Sequence, residues 1–394
     1  MFEKLTKIIM FFVIFFTLII SNNRILSAQT TNEDDQFQEY DMYNDIRKDI
    51  PISEDESISE FPEDQYANEL SSWMKKIPDD TLIGDLSIPG SHDSATYKKA
   101  PAITCPDSTV RCQRANDTFL IQMEKLGIRA FDLRLKEDMQ FFHGRCWLEL
   151  GLREYIKDVK QFLTLYNQEF IIAHVKHEHG DCEKKYEFYN NFIDIVKEEN
   201  AQDMFLYLGK DLLTTPIGKL RGKVVVITRK RAEGDCGWIK GATMIDFPDD
   251  DTVEHTDTTN CENCIDAAIS DDYTKRPYQK VGPLTQHMAR ATDDNDHRMY
   301  IGFVSGYKIC NNSLPYPEGY STDMLPSLRY VIHGESGKFS DCCKSPKGQY
   351  RCPRSFTMPP LKMGKKLGTV FIDFVGEGPQ FIFIMSDIIP RNPG

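Results

Sequence analysis

From Ser71 onward the chain alternates two kinds of apolar pattern. Short runs of strand length, at Leu82 to Ile88, Ala130 to Leu135, Gln140 to His143 and Phe170 to Val175, are separated by stretches with a three- to four-residue period. The longest such stretch, Leu150 to Tyr166, sets Leu152, Tyr155, Ile156, Val159, Phe162, Leu163 and Tyr166 on one face, a stripe suited to a core. A second helix is expected over Lys184 to Glu198, and a strand over Lys223 to Thr228 that leads into Arg229. Arg298 to Val304 and Thr369 to Val375 read as strands as well. Such alternation over about 320 residues predicts a single α/β domain, a TIM-type βα barrel, complete or distorted. An open doubly wound sheet fits less well, because no glycine-rich nucleotide loop follows the first strand.

In a barrel of this kind chemistry sits at the C-terminal ends of the strands. His92, Arg134, Lys176, Arg229 and Asp373 all fall at or near such ends. Asp132 and Arg134 are two residues apart on one strand, so they share a face, while Phe131 and Leu133 point into the opposite layer. Alone, that pair would be equally well explained as an ion pair closing the barrel, and His92 alone as a loop-capping histidine. Together with His143 they supply two imidazoles, a guanidinium and carboxylates within some fifty residues, the equipment for acid-base chemistry on a phosphodiester. Two histidines can serve as base and acid near neutral pH, and arginine binds phosphate oxygens in a planar fork while staying charged.

Three separated segments carry a more specific signal. Leu86-Ser87-Ile88-Pro89-Gly90-Ser91-His92-Asp93-Ser94, Gly127-Ile128-Arg129-Ala130-Phe131-Asp132-Leu133-Arg134 and His143-Gly144 resemble, in order and spacing, the catalytic X region of phosphatidylinositol-specific phospholipase C in its bacterial, metal-independent form. The resemblance implies that His92 takes the proton of the inositol 2-hydroxyl and that His143 protonates the diacylglycerol oxygen. It gives Arg134 the phosphate, Asp93 and Asp132 the tuning of the His143 side, and Asp373, in Gly368 to Gly376, the orientation of His92. Inositol recognition is implied for Lys176 and Glu178, for Arg229, and for the Asp271 and Tyr273 pair. The likeness spans residues 78 to 390, is strongest up to residue 145, and thins from 240 to 365, where cysteine-rich insertions stand.

Metal use separates the branches of that family. In the calcium-dependent branch an Asn follows the first histidine and acidic residues take the place of the arginine. Here Asp93 follows His92 and Arg134 builds the cation in, so no catalytic metal and no cofactor are expected. His174, His177, His179 and Cys182 are spaced closely enough to suggest zinc, but His174 has strand parity opposite to His177 and His179, which argues against a single-faced site.

The chain begins with Lys4 and Lys7 ahead of an apolar run from Ile8 to Ile20, with Ser27 and Ala28 downstream. This is expected to be a cleaved signal peptide over residues 1–28, the run being short of a membrane span. Residues 29–66 read as an acidic disordered leader and 67–394 as the barrel domain. The formal charge of −13 is concentrated in that leader: residues 33 to 64 hold thirteen Asp or Glu against Arg47 and Lys48. With a net +2 over residues 1 to 32, the body from residue 65 carries about −4, close enough to neutral to accept an anionic lipid. Eleven cysteines suit an oxidising, extracellular setting. Suggested pairs are Cys105 with Cys112, Cys146 with Cys182, Cys236 with Cys261 or Cys264, and two among Cys342, Cys343 and Cys352, the connectivity and the odd cysteine staying open. Asn116-Asp117-Thr118 and Asn311-Asn312-Ser313 are glycosylation sequons in a eukaryotic secretory setting, and Trp147 and Trp238 are candidates for touching a bilayer.

The expectation is therefore a secreted phosphodiesterase acting at a membrane surface on phosphatidylinositol or a glycosylated inositol lipid. It would yield diacylglycerol and a cyclic inositol phosphate, with peripheral membrane contact and no nucleic-acid partner. Two rivals remain. An inactive lipid- or glycan-binding barrel would have no use for a second, oppositely protonated histidine, and a metal-dependent phosphodiesterase acting on another phospholipid would lose activity to a chelator.

Overall fold

The computed structural model describes residues 69–98, 105, 111–178, 182–230, 239–248, 250–259, 261–275, 277–293, 295, 297–306 and 366–394, with short stretches between 324 and 358. The signal peptide and leader, His179, Cys236, Trp238, Asn311, Cys342 and Cys352 lie outside them. In chain order the first elements are β1 (Ser87–Ser91), α1 (Phe119–Glu124), β2 (Ala130–Leu135), β3 (Gln140–His143), β4 (Cys146–Gly151), α2 (Leu152–Leu165), β5 (Ile171–His177) and α3 (Lys185–Glu198). There follow β6 (Phe205–Leu206), β7 (Val224–Lys230), β8 (Thr243–Asp246), β9 (Thr252–Val253), β10 (Ala267–Ser270), α4 (Pro277–Asp293) and β11 (Met299–Phe303). β12 (Gly337–Ser340) pairs with β15 (Ser355–Met358), and β13 (Cys343–Lys344) with β14 (Tyr350–Arg351), as two small antiparallel sheets. β16 (Gly368–Ile372) and α5 (Gly378–Phe383) follow, and α5 runs on into a π-helical turn, Ile384–Ile388, and a 3-10 turn, Ile389–Arg391.

Parallel pairing runs from β8 through β7, β5, β2, β1, β16 and β11 to β10. The ring closes through a parallel bridge between Met244 of β8 and Cys264 ahead of β10, held by Met244 N–H to Asn263 O and Ile265 N–H to Met244 O, each 3.0 Å. The result is a distorted TIM-type barrel whose closing seam is two hydrogen bonds wide, with a β3–β4 hairpin projecting beyond the end of β2.

Alternation along each strand sorts side chains into two apolar layers. Ile88, Ala130, Ile172, Val225, Ile227, Ile245, Ile269, Ile301, Phe303 and Phe371 fill the barrel interior. Phe131, Leu133, Ala173, Val175, Val226, Val370 and Ile372 face outward against Phe119 of α1, Tyr155, Ile156, Val159 and Phe162 of α2, and Phe188 and Phe192 of α3. The stripe read from α2 is this outer layer. Gly90 has an interior position: a Cβ there would lie 2.7 Å from the Phe371 ring and 3.2 Å from Ala130 Cβ, so only glycine lets β1 sit beside Phe371.

Two sequence expectations change. The expected strand at Leu82 to Ile88 is instead a 3-10 turn, Ile83–Asp85, with β1 starting at Ser87; Ile83 and Leu86 plug the barrel floor as part of the inner cluster and do not extend the sheet. Cys105 pairs with Cys146 and Cys261 with Cys264, which overturns the suggested pairs Cys105 with Cys112, Cys146 with Cys182 and Cys236 with either later cysteine. Cys146 starts β4, and the hairpin brings it against Cys105, a long-range approach that spacing alone does not reveal. Cys112 is a free, buried thiol.

At the opposite end from the expected chemistry, Arg129 is fully buried. Its Nε donates to Glu169 Oε2 at 2.8 Å, Nη1 to the Met123 and Ile128 carbonyls, and Nη2 to the Leu70 and Ser71 carbonyls. This one side chain ties the N-terminal segment to the barrel floor. Replacing it with Met would strand the buried Glu169 carboxylate, and Arg129→Met is expected to cost about 3–5 kcal/mol in urea unfolding. An unchanged midpoint would show that the pair contributes nothing net.

Candidate active site

β1 and β16 are neighbours, and each ends in a polar residue followed by a left-handed turn: His92 then Asp93 (φ 42°), Asp373 then Phe374 (φ 53°). Non-glycine residues hold such angles only where partners over-determine them. Asp93 has those partners: its N–H donates to Asp132 Oδ2 (3.2 Å), and its carbonyl accepts the Thr96 N–H (2.9 Å) and hydroxyl (2.7 Å). The buried Gln113 amide donates to the carbonyls of His92 (2.7 Å) and Ile372 (3.2 Å), stapling the two strand ends together.

These turns gather the expected catalytic residues. His92 Nδ1 lies 2.7 Å from Asp373 Oδ1, and its Nε2 2.7 Å from Arg134 Nη2. Because a guanidinium can only donate, Nε2 is the acceptor and the proton resides on Nδ1, donated to Asp373. Arg134 Nε sits 2.7 Å from Asp93 Oδ1 and 3.1 Å from Asp132 Oδ2. Arg229 Nη2 takes the other oxygen of Asp132 at 2.7 Å, with its guanidinium 4.2 Å over the Phe247 ring. His143, carried in by the hairpin, places Nε2 3.4 Å from Asp93 Oδ2, and His92 Nε2 is also 3.4 Å from that oxygen. One carboxylate oxygen thus spans both imidazoles.

Beneath lies an aromatic floor. Phe303 and Phe371 stack at 4.8 Å, His92 meets Phe303 edge-on at 5.7 Å, and His174 stacks on Phe371 at 5.6 Å. Burial, followed by the charge of Arg134, holds the His92 imidazole well below its usual pKa, so it is neutral. Burial pushes the Asp132 carboxyl up, but Arg134 and Arg229 outweigh it and keep it well below the carboxylate range. Asp93 and Asp373 are raised by burial, Asp373 far above its ordinary value. Asp373 Oδ1 is the oxygen that accepts from His92, while its buried Oδ2 has no hydrogen-bond partner.

The residues expected to recognise inositol are distributed unevenly. Arg134 of β2 and Lys176 of β5 are register partners, so Lys176 stands beside the catalytic cluster, where its Nζ meets Glu178 Oε2 at 2.7 Å. Glu178 Oε1 accepts the Gly144 N–H at 2.9 Å, so it also braces the turn that presents His143. Asp271 is buried at the end of β10; burial raises its pKa, with Lys280, Arg229 and Arg134 acting against that rise. Tyr273 lies half-buried in the following turn, its N–H donated to the Asp271 carbonyl. His174 faces the barrel interior, whereas His177 faces α3, 4.4 Å from Phe188, so the two do not share a metal site.

Burial raises the Glu178 pKa, but Arg134 and Lys176 bring it down to about 2. Its folded value lies below the ordinary 4.5, so its contribution is full above about pH 4.5 and is lost as pH falls toward about 2. Chemical unfolding across that window is expected to show a shallower acid limb in Glu178→Gln; identical limbs would refute the assignment.

A closed set of two imidazoles, two guanidiniums and buried carboxylates at the strand ends of a TIM-type barrel is the equipment of a hydrolytic enzyme and is suited to acid-base chemistry on an anionic substrate. No family model matches the chain. Over 283 residues it is 25% identical to a 1-phosphatidylinositol phosphodiesterase of Staphylococcus aureus, covering 70% of this chain and 86% of that one. Among solved structures, a double mutant of the phosphatidylinositol-specific phospholipase C of S. aureus superposes with a TM-score of 0.59 at 22% identity, over 84% of this chain and 99% of that one. The Listeria monocytogenes enzyme gives 0.57 at 19% identity over 82% and 98%. The chain is thus similar in sequence to bacterial 1-phosphatidylinositol phosphodiesterases and has the barrel fold of the solved bacterial phosphatidylinositol-specific phospholipases C.

Sequence reasoning missed three residues here. Gln113 carried no motif. Lys280 of α4, fully buried with its Nζ donating to the Ser305 carbonyl, was signalled only by a charge beside the apolar stripe of Val281, Leu284 and Met288. Cys112, assigned to a disulfide, instead lies 3.9 Å from Asp93 Oδ2.

Proposed function

We propose that this protein cleaves phosphatidylinositol, or a glycosylated inositol lipid, at a membrane surface by His/His acid-base catalysis. The observation that carries the reading is the Asp93 carboxylate bridging Arg134, His92 and His143 at 2.7, 3.4 and 3.4 Å. The inositol 2-hydroxyl oxygen attacks phosphorus while its proton passes to His92 Nε2. The bond from phosphorus to the glycerol oxygen breaks, and that oxygen takes a proton from His143, giving diacylglycerol and a 1,2-cyclic phosphate.

In the free protein Arg134 occupies the His92 lone pair. A phosphate entering the site competes for the guanidinium, and its binding thereby uncovers the base. The imidazolium then formed faces Asp93 at 3.4 Å and Asp132 at 3.8 Å. Lys176, Glu178, Arg229, Asp271 and Tyr273 supply charged or aromatic groups around the cluster suited to reading ring hydroxyls.

Secretion is part of the same proposal, supported by Lys4 and Lys7 ahead of the apolar run at Ile8 to Ile20. Among the described residues no helix is long and apolar enough to cross a membrane. Membrane contact is assigned to the hairpin rim, where Trp147 is 43% exposed and pairs in register with Phe142, beside His143.

Phosphorus NMR of the protein with phosphatidylinositol in mixed micelles, with and without EDTA, tests the reading. A cyclic inositol phosphate signal that survives chelation is the expected result and shows that Arg134 serves in place of a metal. Loss with EDTA would favour a metal-dependent phosphodiesterase, and no product in either sample would favour a binding barrel.

A further inference from the structure

We propose that Cys112, Asp93 and His143 form a binding site for a thiophilic divalent cation, zinc by its ligand chemistry, and that its occupation blocks turnover. The blocking half rests on the phosphodiesterase reading, whereas the binding half does not.

A Cys112 Sγ, an Asp93 oxygen and a His143 ring nitrogen lie within 4.8 Å of one another. Thiolate, carboxylate and imidazole are the donor set of zinc sites. Bonds of ~2.3 Å to sulfur and ~2.0–2.1 Å to nitrogen or oxygen at tetrahedral angles hold ligands about 3.3–3.6 Å apart. Asp93 Oδ2 is already 3.4 Å from His143 Nε2 and 3.9 Å from Cys112 Sγ, and the third side, from the thiol to the imidazole, is at most 4.8 Å, so side-chain rotation of His143 and Cys112 completes the triangle.

The two oxygens of Asp93 face different partners, which resolves the apparent conflict with Arg134. The guanidinium holds Oδ1 at 2.7 Å, and Oδ2 is the oxygen turned toward the thiol and the imidazole. Cys112 is free of any disulfide, and its backbone is fixed by its N–H to Thr96 Oγ1 (3.0 Å) and its carbonyl to the Phe374 N–H (2.7 Å). A second trio, Cys112 with His92 and Asp373, also falls within 4.8 Å, and there the Asp373 Oδ2 is buried without a hydrogen-bond partner. The thiol therefore stands between both halves of the catalytic cluster. His143, with 23% of its side chain exposed, is the open edge through which an ion enters, and solvent at that edge supplies the remaining coordination. On binding, the sulfur–hydrogen bond breaks, its proton leaves to solvent, and the sulfur, oxygen and nitrogen lone pairs bind the metal. Asp93 and His143 are then no longer available to the lipid.

Cobalt(II) titration of the full chain, followed by zinc competition, tests this in wild type, Cys112→Ser and Cys112→Ala. The wild type is expected to bind one cobalt with a near-ultraviolet thiolate-to-metal band that zinc abolishes. Both variants should lose the band and bind about 100-fold more weakly or worse, since even outer-shell changes cost 10–100-fold. The zinc concentration that halves each protein's own metal-free rate should rise by the same factor. A band that persists in both variants, or equal zinc sensitivity in all three proteins, overturns the proposal. If phosphatidylinositol is not cleaved at all, the functional reading fails, while the cobalt band and its loss still decide the site.

Discussion

His92→Ala is expected to lower kcat on phosphatidylinositol by about 10²–10⁴-fold, the range for losing a positioned base. The imidazole is held from both ends, by Asp373 Oδ1 and Arg134 Nη2 at 2.7 Å each, so no neighbour can swing into its place. Its depressed pKa sets two signs. Activity limited by a neutral base should hold at pH values below 6.5 and fall only as pH drops through the lowered folded value, burial being the main cause and Arg134 the second. For stability, the unfolded chain takes up the proton first, so this residue's contribution is complete above about pH 6.5 and is lost as pH falls toward the folded value. His92→Ala should remove that part of the acid sensitivity while leaving the neutral-pH fold intact by circular dichroism. A variant that turns over near the wild-type rate would remove His92 from the chemistry.

The catalytic half of the barrel was legible because strand periodicity is strict. Parity alone put Asp132 and Arg134 on the face opposite Phe131 and Leu133, and the inner and outer clusters divide along that line. The same parity put His174 and His177 on opposite faces of β5, as their separate aromatic contacts with Phe371 and Phe188 show. What parity cannot give is which distant loops meet. The closing bridge between Met244 and Cys264 joins segments without the long apolar runs of β5 or β7, and its register depends on the loop between them. The Cys105–Cys146 disulfide depends on where the β3–β4 hairpin lands, and the same misplacement hid Cys112 behind the catalytic carboxylates. Lys280 shows the converse: its burial is tolerable only because the Ser305 carbonyl and the charges of Asp271 and Asp373 arrive from other elements.

Arg134→Lys should separate geometry from charge. The guanidinium serves three partners at once, Asp93 Oδ1 at 2.7 Å, Asp132 Oδ2 at 3.0 to 3.1 Å and His92 Nε2 at 2.7 Å, and a lysine cannot reproduce that fork. Loss of one preorganised donor to a developing oxyanion costs about 10²–10³-fold in kcat, and that loss is expected in Arg134→Lys with the protein still folded. Arg134→Met goes further. It leaves Asp93 and Asp132 short of a cation in a buried site, so about 3–5 kcal/mol of stability should be lost as well. The two variants also differ in pH profile. Arg134 is a cause of the depressed His92 pKa, so removing the charge moves the acid limb of kcat/KM to higher pH, whereas lysine keeps a cation nearby and should leave the limb where it is. A rate loss in Arg134→Lys with an unmoved limb, beside a moved limb in Arg134→Met, assigns the arginine two separable tasks: its fork holds the phosphate, and its charge keeps the base neutral. Wild-type turnover in Arg134→Lys would show that a point charge suffices and that the fork is not used.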